Sequence, residues 1–303
     1  MLTSLISLYI VKSLQPNFDL NIKATTPSQN SNAVQMASFN FSNLLSDQAI
    51  PIKNPHYIAP VINAAASIAI DLETGTILYE KNAHRKLQIA SITKLMTALI
   101  ILEETDLKES ATVSRNAAGT QGSTMFLAAG EQISVENLLH GIFINSANDG
   151  AVALAEHNAG TVYAFVQKMN DKAKELGLAN THFQNPIGLD NSQNYSTPFD
   201  IAKLGQHIYK QQFVKKSTQT KSLKVQSIDG KYTHNLESTN DLLDSYLDIR
   251  GLKTGHTQKA GLCLSSIAAN DNQNKILTVV LDSPARFTET KILVDWVFRA
   301  YNW

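Results

Sequence analysis

The chain has 303 residues, 43% hydrophobic and 17% charged, with 26 basic residues balancing 26 acidic ones. That length allows about two domains or one domain with an inserted lobe, and either holds a large core. A formal charge of zero leaves no electrostatic footprint for DNA, RNA or an anionic membrane face, so a nucleic-acid partner is not expected.

Residues 2–11 include Leu2, Leu5, Ile6, Leu8, Tyr9, Ile10 and Val11. The run is apolar enough for the core of an export signal, although no Lys or Arg precedes it and no small-x-small cleavage site follows closely. It is shorter than the about 20 apolar residues that span a bilayer. Residues 1–16 are therefore read as an export signal or N-terminal anchor. Residues 17–62 turn to Asn, Ser, Gln, Thr and Pro, with Pro27, Pro51, Pro55 and Pro60 and few charges, the composition of a tether. One folded domain is expected over 63–303.

That domain opens with residues 67–71 and 76–80, two strands joined by the turn signal Glu73-Thr74-Gly75. A polar loop leads to Ser91, and residues 92–102 are apolar on nearly every side (Ile92, Leu95, Met96, Leu99, Ile100, Leu102), which predicts a buried helix. From about 106 to 215 the pattern is helical, clearest at 135–143, 151–156 and 162–176. Asp229-Gly230 joins residues 223–228 and 231–234 as a hairpin, because this pair suits the positive φ of a tight turn. Residues 251–257, 261–269 and 275–282 read as three more strands. A final helix from about Thr288 carries Ile292, Leu293, Trp296, Val297 and Ala300 on its apolar face. Strands at both ends with helices between them predict an α+β fold, in which distant segments complete one sheet and a helical lobe is inserted. The single cysteine, Cys263, lies in an apolar run and reads as a small buried hydrophobe rather than a nucleophile.

Three short motifs carry chemistry. In Ser91-Ile92-Thr93-Lys94, the i to i+3 spacing puts Lys94 beside Ser91 on one helix face. A serine hydroxyl needs a base, and an amine serves when an apolar setting or a second cation such as Lys253 keeps it neutral part of the time. The amide of Ser91 at the helix start is a candidate oxyanion donor. Taken alone, the tetrapeptide is equally a capping serine before a surface lysine. Ser-x-Asn occurs six times, at Ser28, Ser38, Ser114, Ser146, Ser192 and Ser238; only Ser146 falls in a short loop between two apolar helices. There Ser146 would relay a proton to a leaving amine and Asn148 would hydrogen-bond a substrate amide. Lys253-Thr254-Gly255 lies on a strand. A glycine there lets substrate backbone lie against it, Lys253 and Thr254 suit a substrate carboxylate, and the amide of His256 is a second oxyanion donor.

The order and element type of these motifs are those of penicillin-binding proteins and class A β-lactamases. Beyond them, the chain resembles the serine-type D-Ala-D-Ala carboxypeptidases, the low-molecular-mass penicillin-binding proteins of peptidase family S11, over roughly residues 63–300. The likeness rests on DLETGTILYEKN at 71–82, ASITKLMTA at 90–98, GSTMFL at 122–127, NSANDGAVALAE at 145–156, NTHFQNPIGLD at 180–190 and GLKTGHTQKAGLCL at 251–264. The resemblance implies an antiparallel five-stranded sheet flanked by helices. It also implies Ser91 as the acylated residue, Lys94 as its base, Ser146 as relay, and Lys253 with Thr254 at the terminal carboxylate. Arg286, in PARF at 284–287, matches a family arginine near that carboxylate. The implied substrates are peptidoglycan stem peptides ending in D-Ala-D-Ala, the implied inhibitors are β-lactams, no cofactor or metal is called for, and the compartment is extracytoplasmic. Many relatives add a β-rich C-terminal domain and an amphipathic anchor. This chain stops at Trp303, so a membrane tether is expected at the N-terminus if there is one.

Three rivals remain. A class A β-lactamase places Glu-x-x-x-Asn between the second and third motifs, and Glu156, Glu175 and Glu237 all lack the asparagine four places on. A D,D-endopeptidase acting on crosslinks shares every motif. A non-catalytic peptidoglycan-binding protein would be expected to have lost one of these groups.

Overall fold

The computed structural model describes residues 50–303, so the expected signal or anchor and the tether up to residue 49 lie outside the described residues. The chain enters along the surface as β1 (Ile52–Lys53), then forms the predicted hairpin β2 (Ala66–Asp71) and β3 (Ile77–Lys81). A 3-10 turn, Ala90–Thr93, feeds α1 (Lys94–Glu104), whose first eight residues are all buried. A helix so enclosed belongs inside the protein, as its unbroken apolar sequence predicts.

The middle of the chain holds β4 (Ser110–Thr112), α2 (Arg115–Ala118), β5 (Gln132–Ser134), α3 (Val135–Ile144), α4 (Asn148–Ala159), α5 (Val162–Glu175), α6 (Pro198–Ile208) and α7 (Gln212–Ser217). Side-chain caps set four of the starts: Ser114 accepts from Ala117 N, Ser134 from Asn137 N, Thr161 from Ala164 N, and Thr197 from Asp200 N ahead of Pro198. The small β4–β5 ladder was not legible, since three-residue strands are too short to show a period. A second hairpin follows as β6 (Ser222–Gln226) and β7 (Thr233–Glu237).

The chain then returns as β8 (Asp248–Thr257), β9 (Gly261–Ala269) and β10 (Lys275–Ser283), closes with α8 (Arg286–Ala300), and ends in β11 (Tyr301–Asn302). The main sheet has five antiparallel strands in the order β3-β2-β10-β9-β8. The N-terminal hairpin thus lies beside the last strand, and the helices between β3 and β8 form the inserted lobe. Alternate residues of β10 face opposite cores. Leu277, Val279 and Leu281 join α1 and α6, whereas Ile276 and Val280 join Leu293, Val294 and Val297 of α8. β8 is an edge strand, which leaves one of its edges open beside the lobe.

Two expectations need correction. The tether was to run to residue 62, but Ile52 pairs with Asn302, Asn54 N donates to Ala300 O, and Ile62 is a core residue. Backbone pairing holds this Pro-containing segment without any apolar period to announce it. Ile292 was placed on the buried face of α8 and is 42% exposed; Val294 takes its place. Leu277→Ala should lower the unfolding free energy by about 2–5 kcal/mol, read by urea denaturation. A loss below about 1 kcal/mol would mean that the α6 face of the sheet is not part of the cooperative core.

Candidate active site

Ser91 sits in the 3-10 turn, one step outside the α-helix that Lys94 begins. The turn is entered through Ala90 at φ +48°, a conformation L-residues rarely adopt. It turns the Ser91 hydroxyl toward Lys94, whose Nζ lies 2.8 Å from Ser91 Oγ and 2.8 Å from Ile187 O. The carbonyl only accepts, so it takes one amine hydrogen and leaves Ser91 Oγ as the other partner. Lys94 is 0% exposed. Burial first, and then the Lys253 cation, hold its pKa well below the ordinary lysine value, against a smaller opposing pull from Asp149.

Ser146 occupies the turn between α3 and α4 at φ +62°. Its Oγ accepts from Lys253 Nζ at 2.9 Å, and the same amine donates to Thr254 O at 3.0 Å. Lys253 is 1% exposed, and burial, helped by Arg286, brings its pKa down to about 7. Lys253 was expected at a substrate carboxylate. In the structure its amine is shared between the Ser146 hydroxyl and Thr254 O, two of the three hydrogens an ammonium can donate.

Two glycines allow this convergence. A Cβ on Gly255 would lie 3.0 Å from Ile89 O and 3.1 Å from Ser91 N, so β8 presses directly on the serine's turn. Room for substrate was the expected reason for Gly255; the nucleophile's own backbone fills that space. Gly188, at φ +84°, packs on the same turn, where a Cβ would fall 1.9 Å from Ala90 O. Thr254 Oγ1 contacts Thr239 Oγ1 at 2.5 Å. Arg286, at the start of α8, donates from Nη1 to Gly255 O at 2.8 Å while its Nε has no partner. His256 is exposed on the same strand.

Asn148 is buried at the start of α4. Its N donates to Ser123 O and its Nδ2 to Gln121 O, both at 2.7 Å, which leaves Oδ1 as a buried acceptor with no partner. All nine predicted residues therefore lie along β8 and the three segments packed beside it. Cys263 is fully buried, and burial pushes its thiol up to about 12, so it stays protonated and inert.

The family model for D-alanyl-D-alanine carboxypeptidases matches residues 53–285. The chain belongs to this family. D-alanyl-D-alanine carboxypeptidase DacF of Bacillus subtilis is 37% identical over 247 residues, covering 79% of this chain and 63% of that protein. DacA of Escherichia coli is 36% identical over 257 residues, covering 80% and 62%. The chain thus spans less than two thirds of the length of these relatives. The crystal structure of the Streptomyces K15 DD-transpeptidase matches with a TM-score of 0.75 and 31% identity, covering 80% of this chain and 99% of that one. Penicillin binding protein 5 from Haemophilus influenzae gives 0.74 and 33%, covering 80% and 72%.

In this family member several groups at the site had no assigned role from sequence. Ile187 and Gly188 lie inside the 180–190 stretch, where only the Pro-Ile-Gly turn signal marks them. Thr239 falls in Ser238-Thr239-Asn240, one of the Ser-x-Asn occurrences set aside as noise. Gln121 and Ser123 act through backbone carbonyls, which sequence does not flag.

Burying the Lys253 amine makes a testable demand on stability. Its folded pKa of about 7 lies below its unfolded value, so the unfolded chain binds the extra proton between these pH values and the fold loses stability as pH falls from about 10.5 to 7. Lys253→Met should therefore raise the melting temperature more at pH 7 than at pH 10, relative to wild type at each pH. An equal change at both would contradict the depressed pKa of the buried amine.

Proposed function

We propose that the protein is a serine D,D-carboxypeptidase that removes the terminal D-Ala of peptidoglycan stem peptides through an acyl-enzyme. The observation that carries this reading is the 2.8 Å contact between Ser91 Oγ and a fully buried Lys94 amine. Neutral Lys94 takes the Ser91 proton as Oγ attacks the penultimate D-Ala carbonyl. The oxyanion meets the amides of Ser91 and His256, and collapse of the adduct breaks the C–N bond. The departing D-alanine nitrogen takes a proton from Ser146 Oγ, which Lys253 replenishes across 2.9 Å. Water then cleaves the ester and restores Ser91.

Asn148 Oδ1 suits a substrate N–H, and Thr254 with Arg286 suits the terminal carboxylate. The open edge of β8 offers an extended peptide a strand to pair with. β-Lactams would acylate Ser91 as analogues of the dipeptide. Stem peptides are outside the cytoplasm, so the reading requires export. Among the described residues no helix is long and apolar enough to cross a membrane.

The match to a DD-transpeptidase favours a second reading, in which an amine replaces water as acyl acceptor. Incubation with a diacyl-Lys-D-Ala-D-Ala peptide should release D-alanine, with the shortened acid as co-product. Added glycine that diverts most of the acyl group into a new amide would favour transfer, and no release from the folded protein would overturn both. The rate of Ser91 acylation should rise with pH along a limb well below 10.5, because it is the neutral amine that accepts the proton. A single limb near the ordinary lysine value would argue against Lys94 as base.

A further inference from the structure

Residues 121–131 join α2 to β5 and are held from two sides. On the site side, Ser123 O and Gln121 O accept from Asn148, and Thr124 O accepts from Asn145 Nδ2 at 3.0 Å. The buried Asp149 carboxylate accepts from Met125 N and Leu127 N, each at 3.0 Å. On the far side, His234 of β7 places Nδ1 2.7 Å from Met125 O and Nε2 2.7 Å from Glu131 Oε1. Glu131 Oε2 accepts from Ala128 N at 2.9 Å.

Both His234 and Glu131 are buried, at 4% and 3% exposure. Met125 O only accepts, so Nδ1 must carry its hydrogen. A second hydrogen then lies between Nε2 and Oε1, whichever atom holds it. The pair is a fully satisfied unit, and removing either member strands a buried polar atom. Between the two clamps sits Phe126, at φ +62° with its side chain 85% exposed. Packing of its own side chain does not hold that conformation. The bonds to Met125 and Leu127 on either side do.

We propose that His234 and Glu131 are positioning residues for acyl transfer. By fixing Met125 O they hold the carbonyls of Gln121 and Ser123, and these carbonyls aim the unpartnered Oδ1 of Asn148 at the substrate amide. The inference rests on the acyl-serine reading above, and its mechanical half can be read without it.

The test is a double-mutant cycle on the second-order rate of acylation by a fluorescent penicillin. His234→Ala should slow acylation about tenfold to a hundredfold, but have little further effect in an Asn148→Ala background. Equal losses in both backgrounds, or unchanged acylation in folded His234→Ala, would overturn the proposal. His234→Asn keeps a donor for Met125 O and should recover much of the rate. Glu131→Gln, which can still donate to Nε2, should stay near wild type while Glu131→Ala does not. Should His234→Ala fail to fold, the Glu131 pair decides: equal rates for Gln and Ala overturn the proposal. Hydrogen exchange needs no acylation. In whichever of His234→Ala or Glu131→Ala folds, residues 121–128 and 145–150 should exchange faster than in wild type, and unchanged exchange there would also overturn the clamp. A wild type that is clamped yet never labelled would instead count against the acyl-serine reading.

Discussion

A lysine amine with no access to water, held between Ser91 Oγ and Ile187 O, is the constraint the rest of the structure depends on. An ammonium is costly to enclose, so the enclosed group tends toward the neutral form, which is the form that can take a proton from serine. The surroundings serve that end. α1 lies inside the core, Ile187 supplies only a carbonyl, and Lys253 adds a second buried cation. Asp149 is the one opposing charge, and its carboxylate is occupied by three backbone amides, those of Met125, Leu127 and Gly150.

The two hydroxyls that flank these amines are both carried on strained turns. Ala90, next to Ser91, and Ser146 itself have positive φ, at a cost of about 1–3 kcal/mol each. Strain of this kind persists only where neighbours over-determine it. Here Gly188 and Gly255 both pack directly on the Ala90–Ser91 backbone, and Lys253 holds the Ser146 hydroxyl. The sheet provides the rigid base, since β8 carries Lys253, Thr254 and Gly255 in consecutive positions while both sheet faces are packed.

Much of this was legible in the sequence. Periodicity located both hairpins and the last three strands to within a few residues, and the unbroken apolar run after Ser91 announced a buried helix. The three motifs identified the groups that meet, because their chemistry resides in side chains. What stayed hidden acts through backbone or through contacts between distant residues. Gly188 matters for what its absent side chain would strike. Ile187, Gln121 and Ser123 contribute carbonyls, and His234 meets Met125 across 109 positions of chain. Ser238-Thr239-Asn240 looked like noise because nothing local reveals that Thr239 abuts Thr254. The contact of Lys253 with Ser146 was hidden for a similar reason: a lysine on a strand does not show whether its amine reaches toward solvent or toward a serine 107 positions away.

The central claim is that one hydroxyl, Ser91 Oγ, becomes covalently bonded during the reaction. Brief exposure of the protein to benzylpenicillin, acid quenching, proteolysis and tandem mass spectrometry would locate the bond. The account predicts a single penicilloyl adduct on Ser91. An adduct on Ser146, or a folded protein that carries none, would contradict it.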